Sequence, residues 1–214
     1  MVGKRCVVAD LPEDLRGPQD PALFFDATAG WIPLEAGRTE VQGFGPEVAF
    51  AKDFAARWPG PFGIIKHAIG GTNLHADWSP QAPGPRYRTL HDLVTAAGKA
   101  RPIRVIGMVW SQGGADAKEA AQAQAYAANL LALIERARAD FAADLAFVCV
   151  RANPPDKPFI AQVRAAQTDC PAPRYALVDS DGFSVGPDRI HFDTPGMVAS
   201  GRACAAAMAT LVGR

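Results

Sequence analysis

Apolar residues follow two rhythms along this chain. Short apolar runs rich in β-formers, most of them uninterrupted, occupy Ala22 to Phe25, Phe62 to Ile69, Ile103 to Trp110, Leu145 to Val150 and Tyr175 to Val178. Runs without polar alternation are what strands covered on both faces require. Between them, apolar positions recur at helical spacing. The stretch Pro46 to Trp58 opens with Gly45-Pro46-Glu47, which puts a proline in the first turn and an acid near the helix's positive end. Thr89 to Ala100 carries Leu90, Leu93, Val94 and Ala97 on one face. The longest pattern, from about Ala115 to Phe141, aligns Tyr126, Leu130, Leu133, Ile134, Ala137 and Phe141. A last helix is predicted to start near Thr194–Pro195 and to carry Met197, Met208 and Leu211.

Strands alternating with helices predict an α/β fold: a three-layer, doubly wound, mainly parallel sheet with helices on both faces. No internal repeat and no dividing linker interrupts the pattern, so residues 1–214 read as one domain. Folds of this kind place their sites at the carboxyl ends of the strands. The proline-rich stretches 78–87 and 153–158 read as loops over that rim.

Charge narrows the function. Lys+Arg and Asp+Glu both number 22, and this balance argues against the basic surface that nucleic-acid binding needs. It gives no support for docking to an anionic membrane, and no apolar run reaches the length of a membrane span. The four cysteines, Cys6, Cys149, Cys170 and Cys204, form no C-x-x-C pair, so a thiolate zinc site is not expected.

Three loops hold residues suited to chemistry. After the second apolar run comes Gly70-Gly71-Thr72-Asn73-Leu74, where two glycines let a backbone N–H face a site with no side chain in the way. After the third comes Ser111-Gln112-Gly113-Gly114-Ala115-Asp116. A glutamine at a strand end can aim its amide at a developing oxyanion, or it can cap the next helix. Asp116 reads equally well as simple complement to that helix's dipole. Just before the last helix comes Asp188-Arg189-Ile190-His191-Phe192-Asp193. An Asp three residues ahead of a His can fold back to accept the imidazole Nδ1–H, which leaves Nε2 as a general base. The same two residues could also serve only a turn and the core. His67, His75, Asp77 and His91 are the raw material for a metal site, but their spacing fits no standard ligand pattern, and no metal or other cofactor is expected.

Taken in order, these pieces resemble the SGNH/GDSL hydrolases, and within them the acetyl-esterase branch with sialate O-acetylesterase-like and acetyl xylan esterase domains. The shared words are Phe44-Gly45-Pro46-Glu47, Lys66 to Leu74 followed by Trp78, Gly107-Met108-Val109-Trp110-Ser111-Gln112-Gly113, Val163 to Gln167, Asp188 to Asp193, and Gly196. The resemblance implies a flavodoxin-like sheet and removal of O-acetyl groups from sugars by a Ser-His-Asp mechanism. By it, Asp188 and His191 are the acid and base, the Gly70-Gly71 turn supplies one oxyanion N–H, with Gly71 preferred, and Gln112 supplies another. The implied partner is an acetylated sugar or oligosaccharide.

Two departures qualify that picture. The family's first strand ends in Gly-Gln-Ser-Asn, whose serine is the nucleophile, and continues into Met-Val-Gly. This chain opens at Met1-Val2-Gly3. The expectation is therefore an N-terminally truncated domain lacking its first strand, with the nucleophile just upstream of Met1 and little activity as it stands. The five serines, at 79, 111, 180, 184 and 200, include none in a nucleophile-elbow setting. An inactive, carbohydrate-binding pseudoesterase is the alternative. The second departure is Gly114, where the family commonly has Glu, which makes the geometry around Gln112 less secure.

Overall fold

The computed structural model describes residues 3–39, 43–80, 84–153 and 156–213. It is an α/β fold built around two three-stranded sheets. The first contains β1 (Ala22–Asp26), β2 (Gly30–Pro33) and β3 (Phe62–Ile64), in the order β2-β1-β3. The second contains β4 (Gly107–Ser111), β5 (Ala146–Val150) and β6 (Tyr175–Val178), in the order β4-β5-β6 and parallel throughout. Five helices connect and flank them: α1 (Glu47–Ala55), α2 (Pro85–Ala100), α3 (Ala120–Asp140), α4 (Ile160–Thr168) and α5 (Thr194–Leu211). Among the described residues no helix is long and apolar enough to cross a membrane.

The strand β5 explains why its sequence is apolar at every position. Its residues Phe147 and Cys149 enter a core with Tyr126, Leu130, Leu133 and Ile134 of α3. Its residues Ala146, Val148 and Val150 enter a core with Cys204, Ala205 and Met208 of α5. Successive side chains point to opposite faces, so a strand buried on both sides has no polar position to spare.

Strand β2, which forms a hairpin with the expected β1, and helix α4 have no counterpart in the periodicity reading. The hairpin is antiparallel, with Phe24 opposite Ile32. Its turn is closed by Asp26, whose side chain accepts from the N–H groups of Thr28 and Ala29 at 2.8 and 2.7 Å. That Asx turn is the local signal that marks it. The loop expected at 78–87 gives way to α2 at Pro85, a residue pre-set for the first helical turn. Residues 81–83 of that loop, and 154–155 of the loop expected at 153–158, lie outside the described residues.

Two apolar runs yield shorter strands than their composition predicts. The run Phe62 to Ile69 is ladder only to Ile64, and the run Ile103 to Trp110 enters a ladder at Gly107. A strand needs a hydrogen-bonded neighbour. Among the described residues β3 pairs with β1 alone and β4 with β5 alone, so their facing edges stay open.

Helices hold the two sheets together across that gap. On one face α1 packs on β1 and on α5, and α5 packs on β5 and β6. Contact between the two helices is close at Gly201, where a Cβ would lie 2.3 Å from the carbonyl oxygen of Pro46. On the other face α2 packs on β2, with Trp31 Nε1 donating to Ala97 O at 3.2 Å. The same helix reaches α3 through Tyr87, whose hydroxyl donates to Asp140 at 2.8 Å.

Candidate active site

The loop between β6 and α5 folds on the side chain of Asp188. Its Oδ1 accepts the backbone N–H of Ile190 at 3.1 Å and of His191 at 3.0 Å, and its Oδ2 lies 2.9 Å from His191 Nδ1. A fourth donor, Arg5 Nε, reaches the same Oδ2 at 3.0 Å. Donors on all sides favour the charged form, so the His191 backbone N–H first, then the His191 ring, the Ile190 N–H and Arg5 hold this carboxyl well below the usual carboxylate range. With a carboxylate against Nδ1, the imidazole carries its proton there and Nε2 is left with a free lone pair.

Neighbouring residues fix this loop. Arg189 takes a positive φ of 57°, and its N–H closes onto Gly186 O at 2.8 Å, while Gly186 N–H closes onto His191 O at 2.8 Å. Phe192, next to the imidazole, is buried against Phe183. Asp193 then caps α5 by accepting from Gly196 N–H at 3.0 Å. Base, core anchor and helix cap thus occupy three consecutive residues.

The other candidate residues come from the ends of β3 and β4. His191, Gly70, Gly71 and Gln112 line one cavity of about 1620 Å³. Gly71 has φ +77°, and both glycines face open space, so the turn presents backbone rather than side chain. Its far side is tightly held. Thr72 Oγ1 donates to Ile69 O at 3.0 Å and accepts from Trp78 Nε1 at 2.9 Å.

Gln112 ties this turn to the second sheet. Its Nε2 donates to Thr72 O at 3.0 Å and to Asp116 Oδ2 at 2.5 Å. In this arrangement both amide hydrogens are engaged, so Gln112 acts as a strut, and donation to an oxyanion requires it to release one of them. The strand end that bears it is itself anchored, because Gln112 O accepts from Gln167 Nε2 at 2.9 Å and from Tyr126 OH at 3.2 Å.

Asp116 is more than a dipole complement. It is fully buried and accepts from Leu74 N–H at 3.0 Å, His75 N–H at 3.2 Å and Gln112 Nε2. Burial pushes its carboxyl up, and the hydrogen bonds from Leu74, Gln112 and His75 oppose that only in part. Its spacing of four from Gln112 could not reveal a contact with Leu74, which is 42 residues distant in sequence. Arg5 is equally invisible beforehand, at 183 residues from Asp188.

Of the remaining candidates, His67 also lines this cavity. His67 packs its ring against Trp78 at 5.3 Å, which in turn meets Trp110 at 5.2 Å. Burial lowers the His67 pKa, assisted by Arg86. His75, Asp77 and His91 join it in no cluster able to hold a metal ion among the described residues. The thiols of Cys149 and Cys204 are buried and pushed up to about 12, which keeps them protonated and poor nucleophiles. Ser180 donates to Arg151 O and Ser184 to Asp193. Among the described residues, no serine hydrogen-bonds His191 Nε2.

Residues 9–210 match the family described as carbohydrate esterase, sialic acid-specific acetylesterase. This chain belongs to that family. The carbohydrate esterase is similar in structure to a protein of Arabidopsis thaliana, with 24% identity, a TM-score of 0.83, and coverage of 94% of this chain and 84% of that one. It is also similar to a carbohydrate acetylesterase from Xanthomonas citri, with 19% identity and a TM-score of 0.66, over 87% of this chain and 47% of that one. At these identities the two structures bear on the fold alone. No curated protein matches the carbohydrate esterase. Family membership agrees with the SGNH resemblance and supports O-deacetylation of carbohydrates as the broad class of reaction.

Proposed function

We propose that this chain is the body of a serine-type esterase that removes acetyl groups from sugar hydroxyls, with His191 as general base and Asp188 as its acid. The observation that carries this reading is the 2.9 Å contact from Asp188 Oδ2 to His191 Nδ1 beside a cavity that the Gly70-Gly71 turn also lines. The nucleophilic serine is supplied by a strand seated between β3 and β4, which brings its carboxyl end to the same rim.

In this reaction His191 Nε2 takes the proton of the serine hydroxyl as its oxygen bonds to the acetyl carbonyl carbon. The carbonyl oxygen becomes an oxyanion that the Gly71 N–H, and Gln112 once it frees a hydrogen, stabilise by donation. The carbon–oxygen bond to the sugar then breaks, and the imidazolium returns its proton to the departing sugar oxygen. Water, deprotonated by His191, attacks the acetyl-serine, and acetate leaves as the serine regains its proton.

The test is to join an apolar strand ending in Gly-Gln-Ser-Asn to Met1 and follow p-nitrophenyl acetate hydrolysis. The chain as given should show little turnover, because loss of a triad nucleophile costs on the order of a millionfold in kcat. The extended chain should be active, and His191→Ala should abolish that activity. If the unextended chain turns over at enzymatic rates in a His191-dependent way, another nucleophile operates and the strand-borne serine is wrong. If the extended, folded chain stays inactive, the pseudoesterase reading replaces this one.

A further inference from the structure

We propose that Gln167, fully buried on α4, is a positioning residue that sets the spacing between Gln112 and the His191 loop. Its effect on catalysis rests on the esterase reading above, whereas the bridge it builds does not.

Gln167 closes the shared word Val163 to Gln167 and does not line the cavity, so it can act on the site only through its neighbours. It stands just past the last rung between β4 and β5, which pairs Ser111 with Val150. Both strands end there, and the glutamine amide takes over. Its Oε1 accepts the Ala152 N–H at 2.8 Å, and its Nε2 donates to Gln112 O at 2.9 Å. A primary amide offers a donor and an acceptor, as a peptide group does, so it extends the ladder by one bridge made of side chain. An ionised glutamate only accepts, lysine only donates, and asparagine is one methylene shorter.

The polar groups around this bridge are satisfied. Gln167 Nε2 also donates to Tyr126 OH at 3.2 Å, and that hydroxyl donates to Gln112 O at 3.2 Å. Burial pushes the Tyr126 phenol well above its ordinary value, so it stays a donor. Space for the amide comes from Gly113, whose φ is +139°. A Cβ there would lie 2.9 Å from Ala152 Cβ and 3.3 Å from Gln167 Nε2. A buried amide with its donors and acceptor engaged is held in one orientation, as a spacer between strand ends must be.

The bridge continues to the base. Asn153, next to Ala152, donates from Nδ2 to Ile190 O at 3.4 Å, and Ile190 adjoins His191. Arg164, one turn before Gln167, donates to Ala152 O at 2.8 Å and pairs with Asp181 at 2.6 Å, so α4 grips this loop twice. Gln112 and His191 thus line one cavity from separate loops, and the path through Gln167, Ala152 and Asn153 joins them. A shift in either would change how base and oxyanion donor face one carbonyl.

The experiment compares Gln167→Met, Asn153→Ala and Ile134→Val, the last a buried change on α3 that tests stability alone. In the full chain, ¹⁵N spectra should show the Gln112 side-chain amide and the His191 ring nitrogens both shifted in Gln167→Met. Asn153→Ala cuts only the far end, and should shift His191 while sparing Gln112. Ile134→Val should move neither. Amide exchange at Ala152 should quicken by about tenfold or more in Gln167→Met alone. In the extended chain, Gln167→Met should lower kcat on p-nitrophenyl acetate by about tenfold to a hundredfold, with KM nearly unchanged. Unmoved His191 signals in Asn153→Ala, or matching shifts in Ile134→Val, would overturn the bridge, and both can be read even if Gln167→Met does not fold. If the spectra shift as expected but kcat holds in an active extended chain, Gln167 is merely structural and the proposal fails. If the extended chain is inactive before any substitution, the esterase reading fails, and the spectra still judge the bridge.

Discussion

Arg5 and His191 converge on a single oxygen, since Asp188 Oδ2 receives Arg5 Nε at 3.0 Å and His191 Nδ1 at 2.9 Å. Two donors thus hold the carboxylate at one oxygen. In the extended chain of the proposed reading, Asp188→Asn should reduce kcat by on the order of 10⁴, because an amide favours the wrong tautomer of the base. Arg5→Ala should cost no more than about fivefold, as the arginine is half-exposed and exposed pairs contribute little. Steady-state kinetics on p-nitrophenyl acetate checks both, and equal losses would show that Arg5 does more than steady the acid.

Asp188 should also resist acid. Its folded carboxyl lies well below the usual value of about 3.9, so whatever its pairing contributes is present above that value and is lost only as pH falls through the lower folded one. Carboxyl ¹³C shifts of Asp188 should stay constant from pH 7 to about 3. A titration midpoint near 4 would contradict the four-donor geometry.

Lys66 holds a buried charge in place. Its Nζ meets Glu47 Oε2 at 2.8 Å, while Glu47 Oε1 accepts from Thr39 Oγ1 at 2.5 Å and Gly45 N–H at 3.0 Å. Burial alone would raise the Glu47 carboxyl, and Lys66 with Thr39 outweighs it. Lys66→Met should cost about 3–5 kcal/mol in urea unfolding, and Glu47→Gln added to it should recover part of that. The wild-type contribution fades as pH falls through the depressed value of Glu47.

Asp116→Ala should leave the Gly70-Gly71 turn tied to Gln112 only through Thr72 O, with the Leu74 and His75 N–H groups released. In the extended chain of the proposed reading kcat should fall about a hundredfold, the scale of an ångström-sized misplacement, with KM for a small ester nearly unchanged. A rise in KM alone would place Asp116 outside oxyanion control.

Much of this was legible in the chain. Continuous apolar runs located five of the six strands because burial on both faces leaves a plain compositional mark, clearest in Ala146 to Val150. Asp188 and His191 were legible because their contact is local, three residues apart. Asp116 and Arg5 were not, since nothing in a linear pattern signals partners 42 and 183 residues away. The strand ends of β3 and β4 were overextended for a related reason. Residue preference says which segment suits a ladder, and only a neighbour decides where the ladder forms.

The glycine at 201 bears on reach across the site. The Gly71 turn belongs to the sheet that α1 covers, and Gln112 and His191 to the side that α5 covers, so the spacing between them scales with how closely two helices approach rather than with loop length. Lengthening a surface loop would leave that spacing alone, whereas one methyl group at position 201 acts as a shim between the two halves, far from any atom that takes part in the chemistry.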